Sequence, residues 1–186
     1  GVVALKGLGG FNLICNAENE KAICRLREIK KRYKKPFAVM FPDVPTLSHY
    51  LNILPLEKEI VSSWRRPIVL LEEKQKIGTG INDGYKTVGA MLPYLPVHYH
   101  LFASSELKAL VMTSGNRGDN PILTDNDAAL SDLLREVDLF VEHNRDISNR
   151  VDDSIVQVVG EQPRIIRRSR GFTPEPLSLK SPSAPQ

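Results

Sequence analysis

The chain has 186 residues, 41% hydrophobic and 25% charged, a balance inside the globular range and sufficient for one sizeable core. A formal net charge of +3 excludes a histone-like polycation, so any anion-binding surface must come from local clustering of the 25 lysines and arginines. Two cysteines, Cys15 and Cys24, form no CxxC pair and have no histidine at ligand spacing, which argues against a disulfide framework or a zinc site.

In chain order, residues 2–5 and 11–15 read as short strands around a turn with Gly7, Gly9 and Gly10. A helix is predicted from about Asn19 to Arg32, with Ala22, Ile23, Leu26, Ile29 and Tyr33 on one face and basic side chains on the others. Phe37 to Phe41 is an apolar run of strand length that Pro42 stops, and 44–51 and 55–64 read as short helices. Pro67 to Leu71 predicts a buried strand, 76–86 a loop, Val88 to Leu92 a strand and His98 to Ser104 a helix. Leu110-Val111-Met112 is a strand running into Thr113-Ser114-Gly115-Asn116. Thr124-x-x-Asp127 then predicts a capping-box start to another helix, and 137–141, 155–159 and 164–166 finish as strands. Several of these strands are apolar throughout and so covered on both faces, which predicts an α/β fold with a twisted mixed sheet flanked by helices.

No apolar run approaches the ~20 residues that span a bilayer, so a cytoplasmic protein without a membrane segment is expected. The first residues, Gly1 to Leu5, already read as a strand, and the end is rich in Pro and Ser. One domain over 1–176, its first strand truncated, and a linker or tail over 177–186 are expected, cut from a longer polypeptide.

Chemistry-bearing clusters compete with ordinary readings. Lys30 to Lys35 packs five cations into six residues, which suits a polyanion or a solvated helix end. Thr113 to Asn116 stands at a strand exit, where hydroxyls and backbone N–H groups can hold phosphate, or is an ordinary polar turn. Arg167, Arg168 and Arg170 offer forked donors, with Arg168 and Arg170 on one strand face. Asp152 and Asp153 cannot both face one site on a strand, which leaves Asp153 a weak Mg²⁺ candidate and otherwise a turn or strand-edge pair. His98-x-His100 lacks a third ligand, and the glycines of Lys6 to Gly10 fail both the Walker and the GxGxxG patterns.

Seven motifs carry a resemblance: Lys6-Gly7-Leu8-Gly9-Gly10-Phe11, Lys30-x-Arg32-x-x-x-Pro36-Phe37-Ala38-Val39-Met40, Arg66-Pro67-Ile68-Val69-Leu70, Gly89-x-Met91-Leu92-Pro93-Tyr94, Thr113-Ser114-Gly115-Asn116, Arg150-x-Asp152-Asp153-Ser154 and Arg167-Arg168-Ser169-Arg170-Gly171. In this order the chain, to about Pro176, resembles the YrdC-like domain of the hydrogenase-maturation carbamoyltransferases, the HypF family. The Lys6 to Gly10 segment, Gly115 and the Arg168-to-Gly171 ending favour that branch over the synthases of threonylcarbamoyl-adenylate for tRNA modification. Tyr33, and Arg117 to Asn120 after Asn116, depart from the usual pattern.

The resemblance implies a YrdC/RibB-like sheet with a central cavity that joins carbamate, derived from carbamoyl phosphate, to ATP with Mg²⁺, giving carbamoyl-adenylate and pyrophosphate. It implies Lys30 and Arg32 at the triphosphate and reacting acyl oxygens, and Thr113, Ser114 and Asn116 at the phosphates and nucleotide. Arg167, Arg168 and Arg170 fall on the other phosphate side, with Lys6 and Arg150 at the acyl substrate. It also implies acylphosphatase-like, zinc-finger and transferase domains elsewhere in the parent chain and a cysteine-bearing maturation partner of HypE type. Rival expectations are a threonylcarbamoyl-AMP synthase and a non-catalytic module that binds double-stranded RNA by shape and phosphate contacts.

Overall fold

A computed structural model describes residues 1–116, 118 and 120–177. Arg117 and Asp119 of the departing segment, and the predicted tail beyond 177, lie outside these. The elements in order are β1 (Val2–Lys6), β2 (Phe11–Asn16), α1 (Glu20–Lys30), β3 (Ala38–Met40), α2 (Val44–Tyr50), β4 (Leu51–Asn52), α3 (Pro55–Ser62), β5 (Ile68–Glu73), β6 (Thr87–Met91), α4 (Pro96–Ala103), β7 (Leu110–Ser114), α5 (Asn126–Leu133), β8 (Leu139–Val141), β9 (Ile155–Val159) and β10 (Gln162–Arg167).

The strands form a single sheet in the order β10-β9-β5-β6-β3-β7-β2-β1-β8, with β4 against β5. Pairing is antiparallel except for β1–β8, β3–β6 and β5–β9, so the sheet is mixed as expected. Alternation within the apolar strands feeds two cores. Leu13, Val39, Val69 and Val111 pack under Ile23 and Leu26 of α1, Leu47 of α2 and Val61 of α3. Ile14, Met40, Met91 and Met112 point the other way, beneath Val97, Leu101 and Phe102 of α4. Both faces of the central strands are therefore removed from water, which is why their sequences are apolar without a period of two.

Three expectations need correction. Tyr33 is 68% exposed because α1 ends at Lys30, so the predicted apolar face stops at Ile29. Two of the basic side chains of α1, Arg27 and Lys30, are buried, so the solvated-helix-end reading fails for Lys30. Helix α5 is capped by Asp125, whose side chain accepts from the Ala128 N–H at 2.8 Å, rather than by Thr124. The two-residue β4 is an addition that no apolar pattern announces.

Candidate functional site

Helix α1 ends in a Schellman turn: the Lys31 N–H donates to Glu28 O at 3.0 Å and the Arg32 N–H to Arg27 O at 3.1 Å. Lys31 takes the left-handed conformation, φ 49°, that glycine usually fills there. Arg27 holds the loop that follows. Its Nε donates to Gly80 O at 2.7 Å, one terminal nitrogen donates to Arg32 O at 2.8 Å, and the guanidinium lies 4.5 Å from the Phe37 ring centroid. The Arg32 guanidinium shares that ring at 5.5 Å and donates to Pro36 O at 2.7 Å. The loop thus sets the two cations of the Lys30-x-Arg32 motif apart: Lys30 turns inward while Lys31, Lys34 and Lys35 stay exposed.

Strand β7, central in the sheet, ends beside that helix terminus and meets it there. The Lys30 ammonium, 1% exposed as a residue, donates to Ser114 O at 2.6 Å, Asn116 O at 2.7 Å and Asn116 Oδ1 at 2.5 Å. Ser114 Oγ donates to the same Oδ1 at 2.6 Å, while Asn116 Nδ2 donates to the carbonyls of Gly118 and Asn120. Three of the expected site residues, Lys30, Ser114 and Asn116, are therefore gathered by two elements far apart in sequence, while Arg32 is held within its own loop by Pro36 O and the Phe37 ring. Burial holds the Lys30 pKa down at about 8; the neighbouring Arg32 and Lys35 charges push the same way, and Asp152 opposes them. A cation that its own surroundings discourage is one that an arriving anion would favour.

The remaining expected residues have partners of their own. Thr113 is buried in β7, opposite Leu13. Lys6 is buried and donates to His143 O at 3.0 Å. Arg150 donates through Nε to Ile122 O at 2.9 Å and, with Asn116, lines a hollow of about 240 Å³. A larger depression of about 740 Å³ runs along α5 and holds none of the expected residues. Arg167 pairs with Asp152 at 2.5 Å, and Arg168 donates to Glu175 O. Arg170 is the most enclosed of the three. It pairs with Asp153 at 2.8 Å, donates to the carbonyls of Arg65 and Arg66, and lies 3.6 Å from the Tyr94 ring centroid. Burial raises the pKa of both Asp153 and Tyr94.

Sequence reasoning missed the structural use of the glycines and of Arg27. A Cβ on Gly9 would lie 2.2 Å from Val151 O, and one on Gly10 2.5 Å from the Ile122 side chain. The turn before β2 therefore serves as the floor on which the Arg150 and Ile122 segments rest. The failure of the phosphate-loop patterns was visible in the sequence; this packing partner was not.

A family model for Sua5/YciO/YrdC, described as telomere recombination, matches residues 1–169. The chain belongs to the Sua5/YciO/YrdC family. Within that family it is 40% identical over 197 residues to the carbamoyltransferase HypF2 of Cupriavidus necator, and 43% identical over 185 residues to the carbamoyltransferase HypF of Rhizobium leguminosarum bv. viciae. Each alignment covers 96% of this chain but 24% of the relative, so the chain spans about a quarter of the length of these curated proteins. A crystal structure of full-length HypF in a phosphate- and nucleotide-bound form superposes with a TM-score of 0.93 at 48% identity, over 96% of this chain and 28% of that one. Sua5 of P. abyssi, complexed with L-threonine, is 20% identical with a TM-score of 0.79 over 90% of this chain and 50% of its own, and shares the fold. The expected resemblance to the YrdC-like domain of HypF, and the expected fold class, are borne out. Among the described residues no helix is long and apolar enough to cross a membrane.

Proposed function

We propose that residues 1–176 form the carbamoyl-adenylate-forming domain of a carbamoyltransferase that matures nickel-iron hydrogenase. The observation that carries this reading is the 40–48% identity, over 96% of the chain, to HypF proteins, one of them captured with phosphate and nucleotide. In the proposed reaction a carbamate oxygen attacks the α-phosphorus of ATP, the bond from that phosphorus to the bridging oxygen breaks, and pyrophosphate leaves. Such a step needs alignment and charge stabilisation rather than a covalent nucleophile. Lys30 and Arg32 would hold the triphosphate and the reacting acyl oxygens, and Ser114 and Asn116 would supply hydroxyl and amide donors. Thr113 would brace them from within β7. Arg167 and Arg168 would approach from the other phosphate side, Arg170 fixing their segment, and Lys6 and Arg150 would flank the carbamate.

The side chains fit an anion better than a bare cation. Asp152 and Asp153 are each committed to an arginine, and the described residues contain no group of three or more His, Cys, Asp or Glu side chains able to hold a metal. Mg²⁺ would therefore enter on the nucleotide, kept by phosphate oxygens and water, where it supplies charge neutralisation. Carbamate is labile, so in the parent chain it would pass between domains, and the carbamoyl group would go on to a cysteine-bearing partner.

The test is mass spectrometry of the adenylate made from ATP and Mg²⁺ with either ammonium carbamate or threonine plus bicarbonate. Carbamoyl-adenylate alone supports the reading; threonylcarbamoyl-adenylate alone replaces it with the tRNA-modification synthase. Duplex-RNA binding that survives high salt, with neither adenylate formed, would instead favour an RNA-binding module built on Lys31, Lys34 and Lys35.

A further inference from the structure

The cradle around Lys30 is made largely of backbone, and its geometry points to a residue with no side chain. Ser114 O and Asn116 O, two of the three closest acceptors of the Lys30 ammonium, are the carbonyls that flank Gly115. The Asn116 N–H donates to Ser114 O at 3.0 Å, a three-residue turn centred on Gly115. Gly115 has no positive φ, so the turn does not demand glycine for its dihedral angles.

Space demands it. A Cβ on Gly115 would lie 2.8 Å from Phe11 O and 2.9 Å from both Phe11 C and Phe11 Cβ. Two of these are backbone atoms of a central strand and cannot rotate aside. The approach is close because Gly115 is hung in a closed ring of main-chain hydrogen bonds. Its N–H donates to Phe11 O at 2.6 Å, the Phe11 N–H donates to Leu123 O at 2.8 Å, and the Leu123 N–H donates to Gly115 O at 3.2 Å. With both peptide groups of Gly115 fixed to β2 and to the segment before α5, Ser114 O, part of the first group, is held toward Lys30, and the Asn116 carbonyl, one peptide further on, reaches the same ammonium.

We infer that Gly115 is a positioning residue: the missing Cβ lets the Ser114–Asn116 turn dock on the Phe11 backbone, and that docking aims two carbonyl oxygens at the Lys30 ammonium. The inference concerns how the cation site is built and is separable from the nucleotide reading above; each can fail while the other stands. Gly115→Ala pushes the turn off Phe11 and opens the cradle to water without adding charge or removing a side-chain donor.

The readout is the Lys30 ammonium itself, in protein labelled with ¹⁵N-lysine and assigned by the loss of its signal in Lys30→Met. In the parent this ammonium is protected, and its protons exchange slowly with water. In Gly115→Ala that exchange becomes at least tenfold faster, while amide signals outside 9–13, 29–33 and 112–124 stay in place. A folded Gly115→Ala protein with unchanged ammonium exchange overturns the inference. Where Gly115→Ala does not fold, the parent protein carries the test through hydrogen exchange. The Phe11, Gly115 and Leu123 amides and the Lys30 ammonium then share one opening equilibrium. Opening of Lys30 while the three amides remain closed overturns the inference equally.

Discussion

Replacing Lys30 by methionine separates a cation kept for a ligand from one kept for the fold. The side chain is shape-matched, so packing changes little, and the effect comes from charge and hydrogen bonds. Holding the ammonium at a pKa of about 8 rather than 10.5 costs at most roughly 3 kcal/mol at neutral pH, and the substitution removes that cost. Against this, acceptors lose a donor. Ser114 O still accepts from the Asn116 N–H and Asn116 Oδ1 from Ser114 Oγ, which leaves Asn116 O to be resatisfied at about 1–3 kcal/mol. The sum lies between neutral and about 2 kcal/mol of stabilisation at pH 7. ATP binding, by contrast, loses a charge-assisted contact and weakens by roughly 1.5–3 kcal/mol. The sign with pH follows from the unfolded chain binding the extra proton. Parent stability rises as pH goes from about 8 toward 10.5, and Lys30→Met lacks that rise. Urea unfolding at pH 7 and pH 9.5, alongside calorimetry with ATP, measures all three. Loss of more than about 3 kcal/mol of stability at pH 7 with ATP affinity intact would refute the reasoning, because Lys30 would then be a structural donor.

Three further outcomes are expected. ATP affinity falls as pH rises above about 8, by up to about tenfold per pH unit, since binding must then reprotonate Lys30; a flat profile in calorimetry, parent equal to Lys30→Met, speaks against the assignment. His98 is fully buried, edge-on to Tyr94 at 4.6 Å, with neither ring nitrogen hydrogen-bonded among the described residues, and burial holds its pKa down at about 4. Its unfolded form takes up a proton first, so the parent loses up to roughly 3 kcal/mol as pH falls from 6.5 to 4, and His98→Phe removes that part of the acid sensitivity in thermal melts. Arg170→Met strands the Asp153 carboxylate and costs roughly 3–5 kcal/mol, part of which returns when Asp153→Asn is added; a strictly additive double-mutant cycle would show that the pair is uncoupled.

The sheet was largely legible because apolar runs of strand length have few other uses. Each predicted run, from Val2–Leu5 to Arg164–Ile166, overlaps a strand. What escaped depended on residues distant in sequence. Arg27 and Lys30 look like a solvated helix end until Gly80 and the β7 exit supply carbonyls for them. Tyr33 fits the apolar period of α1, but the period carries no information about where Lys31 turns left-handed. Thr124 and Asp125 are both good caps, and only the chain direction entering α5 selects between them. The clusters of the candidate site were visible as charge and polarity, and the family resemblance joined them. The tightness at Gly9, Gly10 and Gly115 is set by Val151, Ile122 and Phe11 and has no local signature.

Strand β7 lies between β3 and β2, although the hydrogen bonds from Lys30 to Ser114 and Asn116 span 84 and 86 residues of chain. During synthesis the two inner strands therefore emerge long before the strand that joins them, and until it inserts each has an open edge. The cradle around Lys30 is completed by the same insertion. A nascent or truncated chain lacking this segment has no cradle to offer, so under the proposed function nucleotide would bind only after the centre of the sheet has closed, and its binding would be a readout of finished folding rather than an aid to its first steps.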